Sequence, residues 1–125
     1  MKNISLFQSG SISNSFPEGW HDVICNDAHV SAVKYMCKHI ILYDFDFTDL
    51  KTNDTFWVQI LYHKNDEVSN IELSILLEAL FNMDIKQISK ENRYVKDCIN
   101  KKCRVLTESR TNPQETKIII FTPIK

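Results

Sequence analysis

The sequence predicts one α+β domain that is mostly antiparallel β-sheet, with five strands and one main helix between the third and the fourth. Residues 38–63 contain two long runs of strand-forming side chains joined by a polar turn. A leucine-rich stretch at helical spacing follows, and then a second pair of apolar runs. A length of 125 residues suits a single domain with a substantial core, which we place at residues 16–125.

The N-terminal part of the chain contains an arm and the first strand. Residues 1–15 are rich in Ser and Asn and lack apolar periodicity, so they are expected to form a flexible arm. The turn Phe16-Pro17-Glu18-Gly19 leads into a strand that runs from Trp20 to about Val30. Asn26-Asp27-Ala28 is expected to form a bulge or a bend. The pattern at Ser31–Lys38 fits either one helical turn or a loop into the next strand.

The next two strands, His39–Thr48 and Thr55–His63, form the central hairpin, and the polar residues 49–54 form its turn. Seven of the thirteen aromatic side chains lie in this hairpin or at its ends. Because side chains alternate along a strand, one face of the first hairpin strand is aromatic and the other changes from apolar to acidic. The first face carries Ile41, Tyr43, Phe45 and Phe47, and the second carries Ile40, Leu42, Asp44 and Asp46.

Two helices are predicted after the hairpin. Ser69 and Glu72 have the spacing of a capping box, and the apolar residues that follow recur at helical intervals, so the main helix is expected at about Asn70–Met83. A shorter helix is expected around Asn92–Ile99, because Tyr94, Val95, Cys98 and Ile99 share one side.

A second hairpin completes the series. Cys103–Glu108 is expected to pair with Lys117–Phe121 across a polar loop, Ser109–Thr116, and Pro123 ends the last strand. Five strands with a helix between the third and the fourth is the order of the OB-fold, a small Greek-key barrel. The fold expected from this order is therefore an OB-like five-stranded barrel with a capping helix.

The chain also resembles a family of small phage and mobile-element OB-fold proteins that are encoded among replication genes and are thought to bind single-stranded DNA. The resemblance covers about residues 16–124, and Asn100 stands where the family usually has Gly. It depends on a Pro-x-Gly-aromatic turn, a long strand pair, a Leu-rich helix and two closing segments, here Pro17-Glu18-Gly19-Trp20, residues 39–63, Ile71–Phe81, Val95–Val105 and Lys117–Pro123. The resemblance implies a replication or recombination accessory protein without catalytic activity.

Charge is distributed unevenly along the chain. The net charge is −1, but residues 1–85 hold five Lys/Arg and twelve Asp/Glu, whereas residues 86–125 hold ten Lys/Arg and four Asp/Glu. The folded protein then presents either one acidic and one basic face or a mixed surface on which the two halves interleave. The sequence has no glycine-rich phosphate loop, no signal-peptide core and no apolar run of membrane-spanning length, so we expect a cytoplasmic protein without membrane association.

Aromatic and basic side chains are the candidates for single-stranded DNA, because such proteins stack bases on aromatic rings and hold phosphates with cations. The alternatives are that the aromatic residues fill the core and that the basic residues form an ordinary solvated surface. Asp44, Asp46, Asp49 and Asp54 would repel phosphate if they lined the same groove. The candidate nucleic-acid-binding residues are Trp57, Trp20, Tyr62, Lys96, Lys101, Lys102, Arg104 and Arg110.

Other chemistry is less favoured by the sequence. The spacings of the cysteines and histidines are not those of zinc sites, and buried reduced thiols explain Cys25, Cys37, Cys98 and Cys103 more simply. The pair Asp44-x-Asp46 fits solvated strand acids better than an acid–base or divalent-ion site. We therefore expect no enzyme, no metal and no cofactor. The alternative function is a protein-binding module that docks on a host or replication partner through its acidic surface, and an exposed strand edge would also allow a homodimer.

Overall fold

The computed structural model describes residues 18–35, 38–62, 67–91, 95–111 and 114–124. The predicted arm at residues 1–15 lies outside them. The eight elements are β1 (Gly19–Tyr35), β2 (Lys38–Asp49), β3 (Thr55–Tyr62), α1 (Glu67–Phe81), α2 (Ile85–Lys90), a 3₁₀ helix (Val95–Cys98), β4 (Lys102–Thr111) and β5 (Gln114–Thr122).

The five strands form one antiparallel sheet in the order β3-β2-β1-β4-β5. The α+β class, the five strands and the helix between the third and the fourth are confirmed. Among the described residues no backbone ladder joins β3 to β5, so the sheet is open at this point. The strand β1 lies at its centre and pairs with β4 through its first part and with β2 through the rest.

The first strand is longer than predicted. Residues 31–35 continue β1 in register with β2, so the segment for which a helical turn was one alternative is extended. The predicted irregularity at Asn26-Asp27-Ala28 is confirmed, because the register shifts between Cys25 and Asp27. The side-chain amide of Asn26 donates a hydrogen bond to the hydroxyl of Thr48 on the neighbouring strand. This bulge changes which side chains face outward along β1.

The second hairpin has a shorter connection than the predicted loop Ser109–Thr116. The strand β4 continues to Thr111 and β5 begins at Gln114, so most of the predicted loop is strand. Polar side chains misled the prediction, because an exposed hairpin end is polar whether or not its backbone is paired. Asn112-Pro113 lies outside the described residues. Pro123 directly follows the last strand, as predicted.

Aromatic rings form the centre of the core. Phe47 is fully buried and packs against Phe45, Phe56 and Phe121, with ring centroids 6.4, 5.2 and 5.3 Å apart, respectively. Three strand intervals separate Phe47 on β2 from Phe121 on β5, which in a flat sheet is about 14 Å. Contact between these two rings therefore requires that the sheet curl strongly around its aromatic face.

The helix α1 covers this core and packs against β3, β4 and β5. It begins at Glu67, so Ser69 lies inside the helix and the predicted capping box does not start it. The helix ends before Asn82, whose φ of 52° is the left-handed conformation that asparagine tolerates. The buried apolar residues of α1 are Leu73, Leu76, Ala79, Leu80 and Phe81, and Glu72 is buried beside them.

The segment after α1 contains a helix that the sequence reasoning missed. The short helix α2 begins after Asp84, whose carboxylate accepts a hydrogen bond from the amide of Lys86 at 2.7 Å. Further along, the predicted helix around Asn92–Ile99 is one 3₁₀ turn at Val95–Cys98, with Cys98 fully buried. Residues 92–94 lie outside the described residues, and in the described part of the prediction the helix is of the 3₁₀ type.

Candidate nucleic-acid interface

One exposed strip lies on the outward face of β1 and β4, and we name it the β1–β4 strip. It forms because Val23 and Cys25 of β1 face the core, so that the even-numbered residues 20, 22 and 24, which alternate with them, lie on the outward face. The same alternation applies to β4, where Cys103, Val105 and Thr107 are buried. In register, the strip consists of the pairs Trp20–Leu106, Asp22–Arg104 and Ile24–Lys102.

Trp20 is the large aromatic residue of the strip, and 53% of it is exposed. Arg104, two residues from the partner of Trp20 along β4, donates a hydrogen bond from Nε to Oδ1 of Asp22 at 3.0 Å. Both side chains are more than two-fifths exposed, so this ion pair contributes little to stability. The pair joins the acidic first part of the chain to the basic last part. Acidic and basic residues of the two parts are therefore mixed on this strip.

A backbone turn places Lys101 and Lys102 at one end of the strip. Asn100 has a φ of 72°, so asparagine adopts here a left-handed conformation that glycine adopts more readily. Its amide donates to the carbonyl of Cys25 at 2.7 Å, and the amide of Cys25 donates to the carbonyl of Lys101 at 2.8 Å. Both lysine side chains are exposed. Three of the eight predicted contact residues thus lie along β4 or directly before it: Arg104 is diagonally opposite Trp20, Lys102 pairs with Ile24 four residues further along β1, and Lys101 precedes Lys102.

The outward face of β2 and β3, which we name the β2–β3 face, has the opposite charge. Trp57 is 40% exposed, as its alternation with buried neighbours predicts, and it pairs in register with Asp46. Asp44 pairs with Gln59 one step along the same face. Asp46 also lies opposite Asp27 of β1. A nucleic-acid phosphate placed beside Trp57 would therefore meet several carboxylates.

The two exposed tryptophans are far apart. Trp57 is level with Asp46, which pairs with Asp27, and Asp27 follows Trp20 by about 20 Å along β1. The two rings also lie on strands that are not neighbours in the sheet. The fold therefore does not bring all of the predicted aromatic residues together in one platform.

The remaining predicted residues lie elsewhere. Tyr62 is half-buried and packs edge-to-face on Tyr43, with ring centroids 5.9 Å apart, so its ring belongs to the edge of the core. Burial, followed by the nearby Tyr62, raises the pKa of the Tyr43 hydroxyl. Lys96 is exposed in the 3₁₀ helix, at a cleft of about 590 Å³ between the sheet and the helices. Arg110 lies on β4, and its side chain is outside the described residues.

A buried pair, His21 and Asp49, lies next to the β1–β4 strip, and the sequence reasoning missed it. Nδ1 of His21 lies 2.7 Å from Oδ2 of Asp49, and these side chains are 10% and 2% exposed. Oδ1 of Asp49 accepts hydrogen bonds from the amides of Lys51 at 2.7 Å and Thr52 at 3.1 Å. An Asp that begins a polar turn is a sequence signal for these amide contacts. Nothing in the sequence links Asp49 to a histidine on another strand.

The electrostatics of Asp49 follow from these contacts. Burial raises the pKa of a carboxyl group, but the two backbone amides and the ring of His21 favour the charged form. The net result is a pKa of Asp49 below its ordinary value of 3.8. Because a carboxylate only accepts hydrogen bonds, Nδ1 of His21 carries the proton that it donates to Asp49. This hydrogen bond sets the tautomer and the orientation of the His21 ring.

Cys25, Cys98 and Cys103 are free and fully buried around the start of β4. Burial raises the pKa of Cys25 and of Cys98 to about 12, and it raises the pKa of Cys103 as well. These groups therefore remain protonated thiols at neutral pH. Within the part of the chain that the structure describes, no three His, Cys, Asp or Glu side chains form a group able to hold a metal ion.

Comparison with known proteins adds no family to these observations. A scan against protein-family models finds no match, and a search of curated proteins finds none either. Across the described ranges, no helix is both long enough and apolar enough to cross a membrane.

Proposed function

We propose that this chain is an OB-like, non-enzymatic protein that binds single-stranded DNA through the β1–β4 strip. As the resemblance in sequence implies, it would serve replication or recombination of a phage or mobile genetic element in the cytoplasm. The arrangement of Trp20, Lys101, Lys102 and Arg104 carries the proposal. Proteins that hold single strands combine aromatic stacking with a basic track, and this strip offers both on one outward surface.

An OB-like barrel is the fold that we infer for the whole domain. The strand order is that of a five-stranded OB barrel opened between β3 and β5. The contact between Phe47 and Phe121 supports strong curling of the sheet. The helix α1 packs against both edge strands, β3 and β5, where a helix would close such a barrel.

In the proposed mechanism, the cations bind the backbone and one base stacks on Trp20. The Asp22–Arg104 pair does not prevent this, because an exposed ion pair is weak and Arg104 has further donors for a phosphate. In this proposal the strip contacts phosphates and the face of one base, so binding would be largely independent of base sequence. The carboxylates of the β2–β3 face would repel the phosphates of the DNA from that part of the sheet.

Fluorescence anisotropy of a labelled oligo-dT of about 30 nucleotides, at low and moderate salt, tests the proposal. We expect binding that weakens steeply with salt, because each neutralised phosphate of a single strand contributes about 0.7 to the logarithmic slope. The triple variant Lys101→Ala/Lys102→Ala/Arg104→Ala should lower that slope by about 2.

The matched control removes three exposed lysines elsewhere, Lys34→Ala/Lys86→Ala/Lys90→Ala, and so changes the net charge equally. It should retain most of the affinity. Equal weakening by both triple variants would show that net charge, and not the strip, attracts DNA. Absence of binding at low salt would overturn the proposed function.

A second candidate function has its own observation. The exposed Trp57 beside Asp44 and Asp46 suits a protein-binding module that docks on a basic host or replication partner. Among the described residues β3 is a terminal strand of the sheet, and pairing of this strand with a second copy of the chain stays a prediction. If this function is the correct one, Trp57→Ala abolishes capture of the partner, and no DNA binds at low salt.

A further inference from the structure

A cleft of about 630 Å³ lies at the Trp20 end of the β1–β4 strip. Its volume is in the range of sites for small molecules and cofactors. Three parts of the chain form it: the start of β1, the turn between β2 and β3, and β4. The residues that line it are Trp20, His21, Asp22, Asp49, Leu50, Lys51, Thr52 and Arg104.

The His21–Asp49 pair makes the floor of this cleft rigid. The carboxylate of Asp49 holds the turn by accepting from two amides, and it also holds the ring of His21. The amide of Leu50 donates to the carbonyl of Asp22 at 2.9 Å, so the turn is also fixed to β1. These bonds preorganise the cleft, which lowers the entropy cost of binding.

The walls of the cleft combine apolar, cationic and acidic groups. Trp20 is 53% exposed and Leu50 is 43% exposed, so two large apolar side chains lie at the opening. Lys51 contributes an exposed ammonium group, and Arg104 contributes a guanidinium whose charge is partly balanced by Asp22. A planar ring that carries an anionic group matches these walls, because the ring stacks on indole and the anion is attracted by the ammonium.

We propose that this cleft holds one nucleotide, with the base against Trp20 and Leu50 and the phosphate near Lys51. The inference deepens the proposed function and rests on it in one respect, namely that the nucleotide belongs to a bound strand. A free nucleoside monophosphate has the same chemistry and serves as the probe. The cleft then fixes one base firmly, while the lysines at the other end of the strip hold the backbone without base contact.

The experiment follows Trp20 alone. In a Trp57→Phe background, Trp20 is the single tryptophan, and its fluorescence is titrated with thymidine 5′-monophosphate, with thymidine and with inorganic phosphate. We expect saturable quenching by the monophosphate, weaker quenching by thymidine and none by phosphate. Backbone amide NMR shifts should move at Leu50, Lys51 and Thr52.

Two variants locate the phosphate. Lys51→Ala should weaken binding of the monophosphate about two- to fivefold and leave binding of thymidine unchanged, because an exposed charge pair is worth little more. Lys86→Ala, on α2 and outside the cleft, is the matched control and should change neither.

The outcomes separate this inference from the proposed function. If oligo-dT binds but the monophosphate leaves Trp20 and the turn amides unchanged at millimolar concentration, the cleft is not a nucleotide site and the proposed function stands. If the monophosphate binds and oligo-dT does not, the cleft holds free nucleotides and the proposed function fails. If neither binds, both are wrong.

Discussion

The two regions of the outward face of the sheet, the β1–β4 strip and the β2–β3 face, differ in the charges that surround each exposed tryptophan. Trp20 shares the β1–β4 strip with one carboxylate, Asp22, and with the cations Lys102 and Arg104, whereas Trp57 lies opposite Asp46 and near Asp44. The two rings are similarly exposed, at 53% and 40%. Exposure alone therefore does not distinguish a base-stacking platform from a protein contact. The charges of the paired strand make the distinction, and they are set by register.

The difference in charge between the two regions follows from the pairing of β1 with its two neighbouring strands. This strand pairs with basic β4 at its start and with acidic β2 along the rest of its length. The bulge between Cys25 and Asp27 lies where the pairing with β4 has ended. One strand thus separates two regions of opposite charge, and the proposed function uses this separation to bind a polyanion on one region only.

Replacing each tryptophan by alanine tests the comparison most strongly. Trp20→Ala should weaken oligo-dT binding by about 1–3 kcal/mol, roughly 5- to 150-fold, because one stacked base is lost. Trp57→Ala should change the dissociation constant less than about twofold at moderate salt, because the proposed DNA path avoids the β2–β3 face. Anisotropy titrations under identical conditions measure both. Equal losses of affinity in the two variants would mean that the bound DNA contacts both the β1–β4 strip and the β2–β3 face.

The His21–Asp49 pair holds the turn and the histidine ring at the cleft. The substitution Asp49→Asn tests how much this pair contributes to the stability of the protein. We expect a loss of about 1–3 kcal/mol in the free energy of unfolding at pH 7, since a charged hydrogen-bond acceptor is lost. Urea unfolding measures it. Asp54→Asn, at an exposed carboxyl of the same turn, is the control and should change stability by less than about 0.5 kcal/mol.

The pH dependence of this loss has a definite sign. The pKa of Asp49 is lower in the folded protein than its ordinary value of 3.8, so its stabilisation is present above that value and is lost as pH falls through the folded pKa. The difference between the wild type and Asp49→Asn should therefore shrink below about pH 4. A difference that stays constant into acid would exclude an ionised Asp49 as its cause.

Neutralising the acidic face should have the smallest effect. Asp44→Asn/Asp46→Asn removes two negative charges away from the β1–β4 strip, so DNA binding should strengthen about two- to threefold at low salt and remain unchanged at high salt. Salt titrations of the double variant provide the measurement. A gain of tenfold or more would place the DNA directly over the β2–β3 face.

Much of the fold could be predicted because local patterns specify it. Alternation along the central hairpin identified Phe45 and Phe47 as facing one way, and both are fully buried. The boundaries at polar hairpin ends were less predictable, since β4 and β5 continue into residues expected to form a loop. The short helix α2 was missed because six residues give too little periodicity for recognition.

The candidate site was only partly predictable, since the spacing of residues along one strand says little about its neighbours. The cluster Lys101, Lys102 and Arg104 was visible because it is local in sequence. Its proximity to Trp20 depends on the pairing of β1 with β4, which no local pattern reveals. The contact between His21 and Asp49 depends on the opposite pairing of β1, with β2, and was inaccessible for the same reason.

The packing of Phe121 on Phe47 has a consequence for how the protein is made. During synthesis, β1, β2 and β3 emerge long before β5. The aromatic side chains of these three strands therefore lack their contact with Phe121 until β5 has been made. Such a contact between residues distant in sequence slows folding, because a long loop must close before the contact forms. The partly synthesised sheet of β1, β2 and β3 is therefore the stage at which this chain is most prone to aggregate and to bind chaperones.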